Sequence, residues 1–241
     1  CEIIELDTSD FKKQDWTNKK EIELKKIPIM HGHCSGETWG LAVHPTEDQF
    51  ITCGDDKTAN LWDSYDRYLK NSVDLKKKAR SVAISYKPLW NPGPNPGNDG
   101  DDIHHAAFGL FNGEVVIHRA DLSTIDLGPS KVIASFNCCK EWIQDMKFSP
   151  NNKMLAVSSH DNMIYIIDID SENQKYMSNC MAICQGHSSY IAHIDFSQDS
   201  RYIQSTCGAY ELLFWDTNYI KGKNRTFVER KLNISNDSTK S

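Results

Sequence analysis

The chain has 241 residues, of which 39% are hydrophobic and 25% are charged, a composition typical of an ordinary soluble globular protein. Its formal net charge of −6 excludes a general binder of nucleic acids or other polyanions. No apolar run approaches the roughly 20 residues that cross a bilayer, and the first residues, CEIIELD, do not form a signal peptide. We therefore expect a cytoplasmic protein that binds neither membranes nor nucleic acid.

The first 30 residues contain two strand-like segments, CEIIEL (1–6) and KKIPIM (25–30). They fit the third and the outer strand of a four-stranded repeat, and a complete copy of this repeat follows from residue 31. The sequence thus predicts a partial blade over 1–30.

Residues 31–63 open with a Gly-His pair and close with Trp-Asp, which is the pattern of one WD repeat. In such a repeat a histidine, a serine or threonine, an aspartate and a tryptophan share one hydrogen-bond chain that locks a four-stranded blade. Here this structural tetrad is His33, Thr52, Asp56 and Trp62. A buried carboxylate is tolerated only when it is fully hydrogen-bonded, so we interpret Asp56 as structural. The alternative, a catalytic His/Asp dyad, invokes a substrate that the pattern does not need.

The template of residues 31–63 occurs four times along the chain, counting these residues themselves. Its first strands carry apolar residues two apart, the period of a strand with one buried face. These pairs are Leu41/Val43, Ile84/Tyr86, Met146/Phe148 and Ile194/Phe196. The sequence therefore predicts an all-β WD40 β-propeller of about four blades plus a partial one, forming part of a larger propeller. The repeats span about 31–77, 78–130, 131–179 and 180–231, and 232–241 is predicted to be a disordered tail.

The later repeats keep only part of this tetrad and its hydrogen-bond chain, which we call the lock. Repeat two has Asn112 and His118 at the aspartate and tryptophan positions, and repeat three keeps Asp161 without the Ser/Thr and the Trp. Repeat four carries a partial tetrad of His187, Ser205 and Trp215. Because Ala209 stands at its aspartate position, the fourth lock is in doubt, and we expect blade one to be the most rigid.

The segment LWNPGPNPGNDGDD (89–102) consists mainly of Pro, Gly, Asn and Asp and is predicted to be an exposed loop. Two clusters can be written as metal ligands: Cys180 and Cys184 with His187, and His104-His105 beside Asp101-Asp102. Both fall where strands or loops are expected. The eight cysteines are scattered through strand-like segments, as reduced thiols of a cytosolic chain are. We therefore expect no metal, no cofactor and no catalytic residue.

Four segments resemble the WD-repeat region of the echinoderm microtubule-associated protein-like family. They are GETWGLAVHP (36–45), GDDKTANLWD (54–63), LAVSSHDNMIYIIDI (155–169) and GHSSYIAHIDFS (186–197). The likeness runs from about residue 1 to 216 and departs at Ala209, where many members have Asp. Members have two fused propellers and bind tubulin or microtubules, and the region resembled is part of the second propeller. The resemblance implies a microtubule-associated chain but assigns no tubulin-contacting residue.

The Gly-His loops and the tight turns before the third strands are predicted to lie at one end of the blades. That end gathers the candidate partner-binding residues Glu37, Lys78, Arg80, Trp142 and Tyr190. Aromatic and arginine side chains are enriched at interface hot spots, and cations suit an acidic partner such as tubulin. The sequence thus favours a non-catalytic protein-interaction scaffold, cytoplasmic and cytoskeleton-associated. The alternative is a generic WD-repeat adaptor in a ciliary, trafficking or ubiquitin-ligase assembly, and the oligomeric state is left open.

Overall fold

A computed structural model describes residues 2–6, 26–31, 33, 35–91, 102–123, 132–177, 182–221 and 226–229. In these ranges the chain forms nineteen β-strands. No helix within them is long and apolar enough to cross a membrane. The all-β fold predicted from the period-two pattern is confirmed.

The strands form four antiparallel blades of four strands each, in chain order. Blade one contains β3 (Thr38–Val43), β4 (Gln49–Gly54), β5 (Thr58–Asp63) and β6 (Tyr68–Asp74). Blade two contains β7 (Ala79–Ile84), β8 (His105–Leu110), β9 (Glu114–Arg119) and β10 (Ala134–Asn137). Blade three contains β11 (Ile143–Phe148), β12 (Met154–Ser159), β13 (Met163–Asp170) and β15 (Ala182–Gln185), with the short β14 (Lys175–Tyr176) paired to β13. Blade four contains β16 (Ile191–Phe196), β17 (Tyr202–Cys207), β18 (Leu212–Lys221) and β19 (Thr226–Glu229).

Further pairings occur at both ends of this row of blades. Before blade one, β1 (Glu2–Leu6) pairs antiparallel with β2 (Lys26–His31), the arrangement that the sequence predicts for the partial blade. The second of these strands lies beside β6. At the other end, β15 pairs in parallel with β19, so blades three and four share one nine-stranded sheet.

The hydrophobic core lies between successive blades, whose first strands β3, β7, β11 and β16 are neighbours in that order. Ile51 of blade one packs in one cluster with Phe108 of blade two. Ile117 of blade two shares the next cluster with Met146 of blade three. Because a blade lies against each of their faces, β8 and β12 are buried along their whole length. Apolar burial is worth about 25 cal/mol per Å², so these clusters hold the blades together.

The sequence predicts that the apolar pair of each first strand is buried, and in blade one this prediction is wrong. The sequence places Leu41 and Val43 on a buried face, but they are 64% and 70% exposed. Their register counterparts in blade two, Val82 and Ile84, are buried against blade one. Tyr86 lies beyond β7 and is exposed, so the repeat-two pair is Val82/Ile84. The apolar face of a first strand is buried only where a complete preceding blade packs against it.

The predicted exposed loop over 89–102 is wrong at its start. Leu89 and Trp90 are 5% and 6% exposed. Leu89 forms a β-bridge with Ile103, and the Trp90 ring packs edge-on against His105 at 4.9 Å between ring centroids. The apolar pair therefore anchors the segment in the core. Residues 92–101 and the predicted tail over 232–241 lie outside the described ranges.

Candidate interaction face and the blade locks beneath it

In blade one, four side chains form one hydrogen-bond chain. Trp62 Nε1 donates to Thr52 Oγ1 at 2.7 Å, and Thr52 Oγ1 lies 2.9 Å from His33 Nε2. His33 Nδ1 lies 2.9 Å from each carboxylate oxygen of Asp56. Thr58 donates to Asp56 Oδ1 through its hydroxyl at 2.8 Å and its backbone N–H at 3.0 Å. The chain ties the turn before β3 to β4, β5 and the turn between them.

The Asp56 carboxylate is nearly inaccessible, with a side-chain exposure of 2% against 4% for His33. Burial alone would raise its pKa, but hydrogen bonds from His33 and Thr58 outweigh burial and lower the pKa of Asp56 below its usual value. An ionised Asp56 accepts from His33 Nδ1–H, which leaves His33 Nε2 to accept from the Thr52 hydroxyl. The lone pairs of this carboxylate are thus occupied by donors inside the blade.

Blade four contains a lock of the same shape whose carboxylate the sequence analysis missed. Trp215 Nε1 donates to Ser205 Oγ at 2.8 Å, and Ser205 Oγ lies 2.6 Å from His187 Nε2. His187 Nδ1 faces Glu211 Oε2 at 3.3 Å. The absence of Asp at Ala209 is therefore compensated by Glu211, two positions further along the chain.

Strand register explains why Glu211 reaches the histidine. Thr52 pairs with Asn60 and Ser205 pairs with Leu213, so Glu211 occupies in blade four the place of Thr58 in blade one. A glutamate has one methylene more than an aspartate and can span from the strand to the ring. The signal was present in the sequence as a Glu two residues after the missing Asp.

The Glu211 carboxylate is held by the turn that carries the histidine. The backbone N–H of Ser188 donates to Oε2 at 2.9 Å and the Ser188 hydroxyl donates to Oε1 at 2.7 Å. Cys207 Sγ lies 3.2 Å from Oε2. These donors, led by the Ser188 N–H, lower the pKa of Glu211 to about 2, so the carboxylate is ionised.

Blades two and three have different contacts at the equivalent positions. The His118 ring, 2% exposed, lies edge-on to Phe108 at 5.8 Å between centroids. Burial lowers the pKa of His118 to about 4, so its ring is neutral. Asp161 accepts the Tyr165 hydroxyl at 2.7 Å rather than an imidazole. In the described parts of these two blades, interblade packing replaces the lock.

Above the locks, Arg80 lies among three aromatic rings. Its guanidinium carbon is 3.8 Å from the centroid of Trp39, 5.1 Å from that of Trp142 and 5.4 Å from that of Phe111. Its Nη2 lies 3.9 Å from Asp55 Oδ1. The rings and the carboxylate hold the planar cation in one position.

The ring contacts continue across blades three and four. Trp142 packs edge-on against His160 at 4.3 Å between centroids, and His160 stacks on Tyr190 at 4.4 Å with an interplanar angle of 6°. We name the set the aromatic row: Trp39, Arg80, Phe111, Trp142, His160 and Tyr190. Trp39, Phe111 and Tyr190 are 42%, 43% and 40% exposed. Each blade contributes to the row at the end where the locks lie.

The structure thus brings three of the five predicted partner-binding residues, Arg80, Trp142 and Tyr190, into one row. The other two, Glu37 and Lys78, flank Asp55: the Glu37 carbonyl accepts the Asp55 N–H at 2.9 Å, and Lys78 Nζ lies 3.5 Å from Asp55 Oδ2. Four further residues of this face have contacts that cross between blades, so their positions in the sequence do not reveal them: Trp39, Phe111, His160 and Asp55.

The two clusters considered as metal ligands from the sequence do not assemble in the described residues. His105 is buried, with Nδ1 2.8 Å from the Tyr176 hydroxyl and Nε2 2.8 Å from the Trp90 carbonyl. His104 Nδ1 lies 2.8 Å from the Ser85 carbonyl. Cys184 lies in β15, where burial raises its thiol pKa, and its predicted co-ligand Cys180 is outside the described ranges.

Comparison with known proteins now places the fold in a family. A family model described as "Echinoderm microtubule-associated protein second beta-propeller" matches residues 38–233. The chain is 36% identical over 184 residues to the 77 kDa echinoderm microtubule-associated protein of Strongylocentrotus purpuratus, covering 75% of this chain and 23% of that protein.

Two human proteins give similar matches. Identity to Echinoderm microtubule-associated protein-like 3 of Homo sapiens is 33% over 189 residues, covering 78% of this chain and 18% of that protein. Identity to Echinoderm microtubule-associated protein-like 1 of Homo sapiens is 33% over 192 residues, covering 78% of this chain and 20% of that protein. The chain therefore spans between 18% and 23% of the length of these relatives. Because the family model matches most of the chain, the chain belongs to the echinoderm microtubule-associated protein family, and its blades are those of the family's second β-propeller.

Proposed function

We propose that this chain is part of a non-catalytic WD-repeat scaffold of the cytoplasm, associated with the microtubule cytoskeleton, and that it binds tubulin through the aromatic row. The relatives described above are named as microtubule-associated proteins. The observation that carries the proposal is the row itself, to which every blade contributes at one end. In this proposal each repeat is one structural unit behind that face. The repeats span about 31–77, 78–130, 131–179 and 180–231.

The chemistry of the row suits a protein interface. Exposed Trp39, Phe111 and Tyr190 offer large rings with few rotatable bonds, so ordering them on binding costs little conformational entropy. Arg80 is already fixed by its ring contacts, which lowers that cost further. Lys78, with 48% of its side chain exposed, provides a cation at the edge of the row for an acidic partner.

Unpaired donors lie beneath the row. Among the described residues, the buried Arg80 Nε and Trp142 Nε1 have no hydrogen-bond acceptor. A buried donor without a partner costs about 1 to 3 kcal/mol. A small shift of the rings on docking would expose both N–H groups to acceptors on the partner.

The proposal is tested in the full-length protein, which includes any flanking sequence present in the cell. Two rings of the aromatic row are replaced by alanine. Trp142→Ala with Tyr190→Ala removes the centre and one end of the row. We expect a folded protein, with an unchanged circular dichroism spectrum, that loses most of its co-sedimentation with purified microtubules.

The matched control replaces two exposed aromatic residues at the opposite end of the blades. Tyr65, in the turn after β5, and Tyr86, after β7, are 82% and 46% exposed. Tyr65→Ala with Tyr86→Ala should leave co-sedimentation unchanged. If the row variant pellets as well as the parent, this face is not the contact. If the parent itself does not pellet, the generic adaptor function replaces tubulin binding.

A further inference from the structure

Blade four differs from blade one at three matched positions of the hairpin between the second and third strands. Gly54, Asp56 and Thr58 of blade one correspond to Cys207, Ala209 and Glu211 of blade four. The Glu preserves the lock after loss of the Asp. The Cys is not needed for that purpose, since blade one forms its lock with a glycine at this position. Cys207 therefore adds a sulfur atom that the lock of blade one lacks, and here it lies 3.2 Å from Glu211 Oε2.

Among the described residues, the ligand atoms of His187, Cys207 and Glu211 form a group within 4.8 Å of one another. His187 Nδ1 lies 3.3 Å, and Cys207 Sγ 3.2 Å, from Glu211 Oε2. In a tetrahedral zinc site, metal–ligand bonds of about 2.0–2.3 Å put N and O about 3.3 Å apart and S and O about 3.6 Å apart. The N and O atoms already have that spacing, and S and O need to separate by about 0.4 Å. The N and S atoms lie within 4.8 Å of each other and need to be about 3.6 Å apart when both bind the ion.

We infer that His187 Nδ1, Cys207 Sγ and Glu211 Oε2 form a binding site for one Zn²⁺ ion, with the fourth position open to solvent. Imidazole, thiolate and carboxylate are the three protein ligand types that zinc accepts, and one thiolate with one carboxylate balances its charge. The carboxylate ligand has a side-chain exposure of 35%, which gives the ion a path from solvent. This inference does not depend on tubulin binding.

The surroundings of the three ligands already orient them. His187 Nε2 lies 2.6 Å from Ser205 Oγ, so the ring can donate its proton there while Nδ1 takes the metal. The Ser188 hydroxyl binds the other oxygen of Glu211 at 2.7 Å and fixes the carboxylate. On binding, the imidazole proton moves from Nδ1 to Nε2 and the thiol proton leaves to solvent, so the ion binds one neutral and two anionic ligands.

The site can be tested with Co²⁺ as a spectroscopic stand-in for zinc and with Zn²⁺ itself. We expect a thiolate-to-cobalt charge-transfer absorption that saturates at one ion per chain and disappears in Cys207→Ser. Zn²⁺ should bind Cys207→Ser at least tenfold more weakly than the parent in a chelator competition. Cys53→Ser is the matched control, because Cys53 is a fully buried thiol of the corresponding hairpin in blade one and lies outside the site.

Two results would overturn the inference. One is the absence of charge-transfer absorption in the folded parent. The other is equal metal binding by the parent and Cys207→Ser, which would place the ion on another thiol. Should Cys207→Ser fail to fold, Cys207→Gly restores the blade-one residue and takes its place in both measurements. Microtubule co-sedimentation is measured separately with the row variants, so the failure of one proposal leaves the other intact.

Discussion

In blade one the carboxylate of the lock comes from the hairpin turn, at Asp56, whereas in blade four it comes from Glu211, directly before the third strand β18. The first lies 2.9 Å from its histidine and is 2% exposed. The second lies 3.3 Å away and is 35% exposed. Tryptophan, hydroxyl and imidazole are otherwise arranged alike in the two blades.

The difference shows that the lock needs a carboxylate next to the histidine ring. The residue that supplies this carboxylate can occupy different positions in the sequence of the repeat. Both carboxylates reach Nδ1 of the histidine in their own blade. They can do so because the hairpin turn and the residue that follows it lie at the same end of the sheet. The longer, more exposed contact of blade four should stabilise its blade less, since solvent screens it. Blades two and three, whose described residues have no such chain, rely on apolar packing between blades.

The largest effect is expected from removing the buried carboxylate of blade one. Asp56→Ala removes the buried carboxylate that accepts from His33 Nδ1 and from the hydroxyl and N–H of Thr58. This loss should cost about 2 to 4 kcal/mol of unfolding free energy. Asp161→Ala, which removes the acceptor of the Tyr165 hydroxyl and of the Met163 N–H but breaks no contact with an imidazole, should cost less. Denaturant unfolding of both variants measures the ranking, and equal losses would contradict it.

An effect of about 2 kcal/mol is expected from the pH dependence of His118, which has no carboxylate partner among the described residues. Its folded pKa of about 4 lies below its ordinary value of 6.5, so the fold favours the neutral ring. Its contribution is complete above pH 6.5 and is lost as pH falls from 6.5 towards 4. Between pH 7 and pH 5 the loss amounts to about 2 kcal/mol at 1.36 kcal/mol per pH unit.

His118→Phe isolates that contribution from other titrating groups. The free energy of unfolding of this variant should depend less steeply on pH than that of the parent over pH 5 to 7. Parallel curves for the two proteins would show that His118 does not titrate as its burial implies.

The smallest net effect is expected from exchanging the two lock designs. Glu211→Thr should lower the midpoint of thermal unfolding because the contacts of the carboxylate with His187 Nδ1 and with Ser188 are lost. Adding Ala209→Asp recreates the blade-one arrangement and should restore most of that midpoint. A double variant no more stable than Glu211→Thr would mean that the turn of blade four cannot place an aspartate against the ring.

Much of the fold could be predicted because its signals are local. Period-two apolar residues mark strands, and the spacing from His33 to Trp62 identifies a complete blade. The family expected from four short segments is confirmed by a match over residues 38–233. Composition alone misplaces Leu89 and Trp90, because Pro and Gly beside them indicate a loop while their own side chains enter the core.

By itself, the sequence determined the order of strands, the all-β class and the tetrad of blade one, since each depends on residues close together in the chain. Only the tertiary structure decided that Glu211 replaces an absent aspartate, that Arg80 lies among rings from three blades, and that Leu41 is exposed. Those contacts depend on hairpin register and on which blade packs against which. The ring contacts of Arg80 and the exposure of Leu41 cannot be predicted from positions along the chain, because they arise from packing between blades whose residues lie far apart in sequence.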